Sequence, residues 1–166
     1  MIIEKRVLEA LNRQINREFY SSYLYLSMSF YCTGEGLPGF AKWLLVQHDE
    51  ERQHAGMLTR HILQRGERVA LDAVEIPPNR WENIIDLFES ALEHERSITA
   101  SICNLTVLAT EQRDFPVQSL MKWFIDEQME EEASVEEILN QLRFVKENTS
   151  AIFIIDRELA HRTQSA

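Results

Sequence analysis

Residues 47–54 read QHDEERQH, a polar stretch in the middle of an otherwise apolar helical pattern. FAKWLLV precedes it at 40–46 and AGMLTRHIL follows it at 55–63. Apolar residues three or four positions apart mark the buried face of a helix, and Glu51 and His54 fall on that face. Since a buried carboxylate without a partner is costly, this stretch predicts a helix that carries a cation in its core.

Three further segments show the same helical spacing, and four breaks separate the segments. The breaks lie at 32–39, 65–79, 112–116 and 146–151. They predict four helices of roughly 28 residues and a short fifth helix. Because no segment shows sustained strand alternation, we expect an all-α fold in a single domain over residues 1–166.

Proline and capping residues set the expected helix starts. Pro38 is well placed to open the second helix. Asn79 is expected to cap the third helix, with Glu82 as its capping-box partner. Thr149 or Ser150 is expected to cap the fifth helix.

Polar side chains interrupt the apolar stripe of each long helix near its middle, about 20 Å from the helix start. In an antiparallel bundle these interruptions meet at one level. The converging residues are Glu18, Glu51, His54, Glu95, Gln128 and Glu131. Four carboxylates balance two divalent ions, and oxygen-rich ligands with one imidazole suit iron or manganese better than structural zinc. The pattern therefore predicts a dinuclear metal site.

Further polar residues lie next to these stripes. Glu50, Glu127 and Glu130 flank the core positions and either hold a third, more exposed ion or form a solvated helix face. Tyr25 lies two turns beyond Glu18, and it is either plain core or a hydroxyl near the metals. His61 and His94 are expected to lie outside the site.

Composition narrows the class of protein. The net charge of −10 disfavours nucleic acid and anionic membranes as partners and suits cations. Cys32 and Cys103 form no CxxC pair and are expected to be buried free thiols in a reducing compartment. With no membrane-length apolar run and no signal-peptide pattern at the start, we expect a cytoplasmic protein.

Five segments together resemble the bacterial non-haem ferritins over nearly the whole chain. They are NREFYSSYLYLSMSF, HDEERQHA, EHERSIT, WFIDEQMEEE and IIDRELA. The helix-bundle architecture of this superfamily, with carboxylate dimetal sites, is well described. The resemblance implies an up-down-down-up four-helix bundle with a long crossover between the second and third helices and a short C-terminal helix.

The resemblance also implies a set of iron ligands. Glu18, Glu51 and His54 match the first iron site, and Glu51 bridges to a second site with Glu95 and Glu131. Gln128 lies beside the second site, Glu50, Glu127 and Glu130 match the third site, and Tyr25 matches a tyrosine next to the centre. Arg52 stands where a bacterioferritin has its haem-ligating Met, so no haem is expected.

The function implied is Fe²⁺ oxidation by O₂ or H₂O₂ and storage of ferric mineral in a cage of 24 identical subunits. Gln128 replaces a stronger ligand of relatives, so the second iron is expected to be held more weakly. Two alternatives remain at this point. One is a dimetal oxidase or oxygenase, and the other is a structural bundle that binds metal without turnover or mineral storage.

Overall fold

The computed structural model describes residues 2–146 and 148–162, and five helices make up most of these ranges. The helices are α1 Lys5–Gly34, α2 Pro38–Gln64, α3 Ile84–Glu111, α4 Phe115–Val145 and α5 Thr149–Leu159. No strand occurs in those two ranges, which confirms the predicted all-α class. Of the predicted single domain over 1–166, residues 1, 147 and 163–166 lie outside the described residues.

A buried polar layer divides the core into two apolar clusters. The first cluster includes Leu24, Phe40, Phe88 and Leu139, and the second includes Ile15, Leu58, Ile102 and Met121. Helices α1 and α4 run from the second cluster to the first, whereas α2 and α3 run from the first to the second. This order confirms the predicted up-down-down-up bundle and places the middle of all four helices at one level.

The crossover between α2 and α3, residues 65–83, runs back along α1. Near the start of α1, the side-chain oxygen of Asn12 accepts a hydrogen bond from the Ala70 amide at 2.8 Å. Near its end, the Ser27 hydroxyl donates to the Pro78 carbonyl at 2.6 Å. The crossover therefore spans most of the bundle length, which lets α3 run parallel to α2.

The third helix begins later than the sequence predicted. Asn83 caps it, because its side-chain oxygen accepts from the amides of Ile85 and Asp86 at 2.9 and 3.0 Å. The prediction of Asn79 as the cap with Glu82 as its partner is therefore wrong. The physical reason is the crossover, whose backbone stays non-helical along α1 and still accepts a hydrogen bond from Ser27 at Pro78.

The short helix α5 packs against the start of α2. The carboxylate of Asp156 accepts a hydrogen bond from the Phe40 amide at 2.9 Å, and thus caps an α2 N-terminus that has no cap of its own. Gly39 permits this approach, since a Cβ there would lie 1.6 Å from the Asp156 carbonyl oxygen. Pro38 opens α2 as predicted.

The cap of α5 and one cysteine correct the sequence predictions. Asn148 caps α5 by accepting from the Ala151 amide at 3.1 Å, so the expectation of Thr149 or Ser150 is wrong by one or two positions. Both cysteines are free, but only Cys32 is buried, while Cys103 is exposed. Cys103 follows the buried Ile102 and so points away from the core face of α3.

Within residues 2–146 and 148–162, every helix lacks the length or the apolar character that a membrane crossing requires.

Candidate metal centre

The polar layer of the bundle is built from side chains of all four long helices. Each helix contributes at the point where its apolar stripe is interrupted, and each of these residues is at most 4% exposed. They are Glu18 on α1, Glu51 and His54 on α2, Glu95 on α3, and Gln128 and Glu131 on α4. The structure thus brings the six predicted core residues to one level.

One group of three side chains has the spacing of a metal site. Ligand atoms of Glu18, Glu51 and His54 all lie within 4.8 Å of one another. The Nδ1 atom of His54 is 3.1 Å from Glu51 Oε2 and 4.0 Å from Glu18 Oε2. Glu18 Oε2 and Glu51 Oε1 are buried and accept no hydrogen bond. Buried acceptors without donors are costly, and a cation between them satisfies both.

The other two carboxylates of the layer are held by polar neighbours. Glu95 accepts a hydrogen bond from the Tyr25 hydroxyl on Oε1 and one from Gln128 Nε2 on Oε2, the latter at 3.1 Å. Glu131 accepts from Gln47 Nε2 at 2.6 Å. These donors fix the direction in which each carboxylate points.

A second group of three ligands differs from the one predicted. Ligand atoms of His54, Glu127 and Glu131 lie within 4.8 Å of one another, so His54 faces both groups. Glu127 was predicted as a flanking residue, and it is half-buried. The predicted second site of Glu51, Glu95 and Glu131 shares Glu131 with this group and stays a prediction.

Burial raises the pKa values of three carboxyls in the layer. The pKa of Glu51 is raised well above its usual value, first by burial and then by the neighbouring carboxylates. Burial raises the pKa of Glu95 to about 7, and burial with the charge of Glu95 raises the pKa of Glu131 to about 8. The metal-free layer therefore retains protons near neutral pH, and divalent cations can replace them.

Tyr25 joins this layer from the side of the first apolar cluster. It is fully buried, and its hydroxyl donates to Glu95. Burial, and then the charge of Glu95, raise its pKa well above the usual value. Tyr25 is therefore a neutral hydrogen-bond donor in contact with a predicted ligand.

Comparison with known proteins agrees with this geometry. The sequence profile of the Ferritin family, described as a ferritin-like domain, matches residues 8–145. The chain belongs to the ferritin family.

Individual ferritins resemble the chain over nearly its whole length. A bacterial non-heme ferritin of Staphylococcus epidermidis is 33% identical over 162 residues, which are 98% of each chain. A probable bacterial non-heme ferritin-like protein of Haemophilus influenzae is 34% identical over 165 residues, covering 99% of this chain and 100% of the relative. A solved open pore ferritin from the archaeon Archaeoglobus fulgidus superimposes with a TM-score of 0.96 at 42% identity, covering 98% and 100% of the two chains. Membership supports a role in iron storage and a homo-oligomeric state.

Of this ferritin's three predicted third-site residues, two lie near the layer and one on the surface. Glu50 is buried, and its Oε2 accepts from Arg162 Nη2 at 2.8 Å. Burial raises the pKa of Glu127, and the charges of Glu130 and Glu50 raise it further. Glu130 itself is exposed. The charges of Glu50 and Glu130 thus act on Glu127 at the edge of the layer. The role of the three residues as a third metal site stays a prediction.

Several residues that hydrogen-bond to the acidic side chains of this ferritin's polar layer were not identified from the sequence. The amide of Gln14 donates to Glu18 Oε1 at 2.7 Å, and its oxygen accepts from the Ser101 hydroxyl at 2.5 Å. Gln14 lies four residues before Glu18, a helical spacing that could have revealed it. Arg162 follows the last helix, outside any periodic pattern, and so gave no signal in the sequence.

Proposed function

We propose that this chain is an iron-storage ferritin that oxidises Fe²⁺ at its buried polar layer and stores Fe³⁺ as mineral inside a cage of 24 subunits. One observation carries the proposal. Four carboxylates and one imidazole from four helices converge in a sealed core, and two of their buried oxygens lack any hydrogen-bond donor. Without cations such a layer must hold protons, and divalent ions that replace them satisfy the buried oxygens.

The ligands divide between two ions. Glu18, Glu51 and His54 hold the first Fe²⁺, in the group whose ligand atoms lie within 4.8 Å. Glu51 bridges to the second Fe²⁺, which Glu95 and Glu131 complete. Carboxylate oxygens with one imidazole favour octahedral Fe²⁺ over tetrahedral zinc. Four negative charges match two divalent ions, so binding releases the protons that the metal-free layer retains.

Oxidation transfers one electron from each Fe²⁺. With O₂ as the oxidant, two electrons and two protons give H₂O₂ and two Fe³⁺. With H₂O₂ as the oxidant, the same two electrons and two protons give two water molecules. The protein supplies hard anionic ligands, which stabilise Fe³⁺ more than Fe²⁺ and so favour the loss of the electron.

Neighbouring groups orient the ligands and adjust how strongly they bind. Gln47 and Tyr25 fix the carboxylates of Glu131 and Glu95 by hydrogen bonds, as the outer partners of metal ligands generally do. Gln128 offers the second ion only a neutral amide, so this ion is the more weakly held and the first to leave for the mineral. The Tyr25 hydroxyl donates to Glu95, a proposed ligand of the second ion, and a redox role of Tyr25 is part of the proposal.

The rival functions fit the packing less well. An oxygenase needs a pocket for an organic substrate beside its metals. Here the layer lies between fully buried aromatic side chains, with Tyr25 and Phe88 in one cluster and Phe124, 1% exposed, in the other. A purely structural metal bundle has no need of a tyrosine hydroxyl on a ligand.

The test is to add Fe²⁺ in air to the metal-free protein and follow ferric absorbance and size together. We expect yellow-brown ferric product that co-elutes with protein at the size of a 24-subunit cage. Glu51→Ala should abolish the fast phase, whereas Glu137→Gln, an exposed change on α4, should not affect it. A small oligomer that forms no ferric product would contradict the proposal.

A further inference from the structure

The guanidinium of Arg162, near the C-terminal end of the described chain, lies at the edge of the polar layer. Its Nη2 donates to Glu50 Oε2 at 2.8 Å, and its guanidinium carbon lies 4.3 Å from the centre of the Trp43 ring. The side chains of Arg162 and Glu50 are 20% and 9% exposed. This is a partly buried ion pair on a proposed third-site ligand.

Contacts between α5 and α2 fix the position from which Arg162 reaches Glu50. Asp156 caps α2 through the Phe40 amide, and Lys42 Nζ donates to the Ala160 carbonyl at 2.5 Å, two residues before Arg162. Both contacts lie in the first turns of α2, the helix that also carries Glu50. The arginine is therefore held in place by the fold and does not depend on Glu50 alone.

The hydrogen bonding of the Arg162 guanidinium is incomplete. Its Nη1 is buried and has no hydrogen-bond partner. An unsatisfied buried donor offsets much of what the ion pair contributes. The guanidinium also acts beyond Glu50. The pKa of Glu131 is raised by burial and by Glu95, and the positive charge of Arg162 opposes this rise.

We propose that Arg162 is a built-in counter-ion that occupies the third cation site in the metal-free protein and that an incoming divalent ion must displace it. This inference rests on the proposed third site of Glu50, Glu127 and Glu130. A guanidinium carries one charge and leaves a donor unsatisfied there, whereas a divalent ion carries two charges and can be coordinated by several carboxylates. Displacement is therefore favourable, but at a reduced apparent affinity. The consequence is that the two buried ions bind before the third.

The experiment measures Zn²⁺ binding to the metal-free protein by calorimetry, since Zn²⁺ is a divalent probe without redox chemistry. Glu50→Gln identifies the binding event that depends on the third site. Arg162→Gln removes the counter-ion, and Arg157→Gln is the matched control, because this exposed arginine lies on α5, five residues before Arg162. We expect Arg162→Gln to tighten the Glu50-dependent event about tenfold, equivalent to about 1.4 kcal/mol. Arg157→Gln should leave it unchanged.

Two results would overturn the inference, and they are distinguishable. If Arg162→Gln leaves the Glu50-dependent affinity unchanged or weakens it, Arg162 is only a structural tie, and a lower melting temperature would accompany that result. If neither wild type nor Arg162→Gln shows a Glu50-dependent event, the third site itself is refuted. In that second case the two-ion centre is still measured independently through its own binding events.

Discussion

The change Glu131→Gln should stabilise the metal-free protein at alkaline pH. Glu131 is 4% exposed, and burial together with the charge of Glu95 raises its pKa from 4.5 to about 8. The native state therefore holds a proton that the unfolded chain has released, so stability falls as pH rises from about 4.5 through about 8. A neutral amide imitates the protonated acid and still accepts the hydrogen bond from Gln47.

The magnitude follows from the size of the shift. A rise from 4.5 to about 8 corresponds to about 5 kcal/mol for a carboxyl that titrates alone. Glu95, with a pKa of about 7, titrates in the same range, so the repulsion between the two must be counted once. We assign about 2–3 kcal/mol to Glu131, which raises the melting temperature by about 5–10 °C.

The assay is scanning calorimetry of chelator-treated protein at about pH 5 and about pH 8.5. Glu131→Gln should match wild type at the lower pH and melt higher at the upper pH. The control Glu137→Gln, on the exposed face of the same helix, should follow wild type throughout. If Glu131→Gln melts at or below wild type at about pH 8.5, the carboxylates of the layer do not repel one another as inferred.

Three further changes test other parts of the molecule. His54→Ala removes the one imidazole proposed as an iron ligand and should slow Fe²⁺ oxidation by about 10–100-fold with the assembly intact. A wild-type rate in this variant would show that His54 is not a ligand. Gly39→Ala places a Cβ against α5 and should destabilise the protein by about 1–3 kcal/mol. The control Gly56→Ala, in the same helix with open space around it, should stabilise the protein by up to about 1 kcal/mol. Thermal unfolding compares the two variants with wild type. Glu50→Ala with Glu130→Ala should remove one Fe²⁺ per subunit in an anaerobic titration; three ions in the double variant would make these residues a solvated face.

Most of the fold could be predicted from the sequence because helical periodicity is a local property. The four long helices and the level of Glu18, Glu51, His54 and Glu95 follow from where polar residues break apolar stripes. The start of α3 was misplaced because a tertiary contact decides it. The Ser27 hydroxyl donates a hydrogen bond to the Pro78 carbonyl, and helix α3 begins only at Ile84.

The site was predicted as a set of residues but not in its detailed pairing. His54 faces Glu127 as well as Glu18 and Glu51, because a helical residue lies between neighbours on both sides of its face. Spacing within one helix does not reveal which side chains of another helix it meets. The pairing of Arg162 with Glu50 joins residues 112 positions apart, and no pattern within either segment encodes it.

The most direct measurement of the central claim is anomalous diffraction at the iron edge from crystals soaked anaerobically in Fe²⁺. The account predicts two iron peaks inside the polar layer of every subunit. One should be coordinated by Glu18, Glu51 and His54, and the other by Glu51, Glu95 and Glu131, with Glu51 shared. Iron bound only to exposed acidic side chains, with no iron among these five residues, would contradict it.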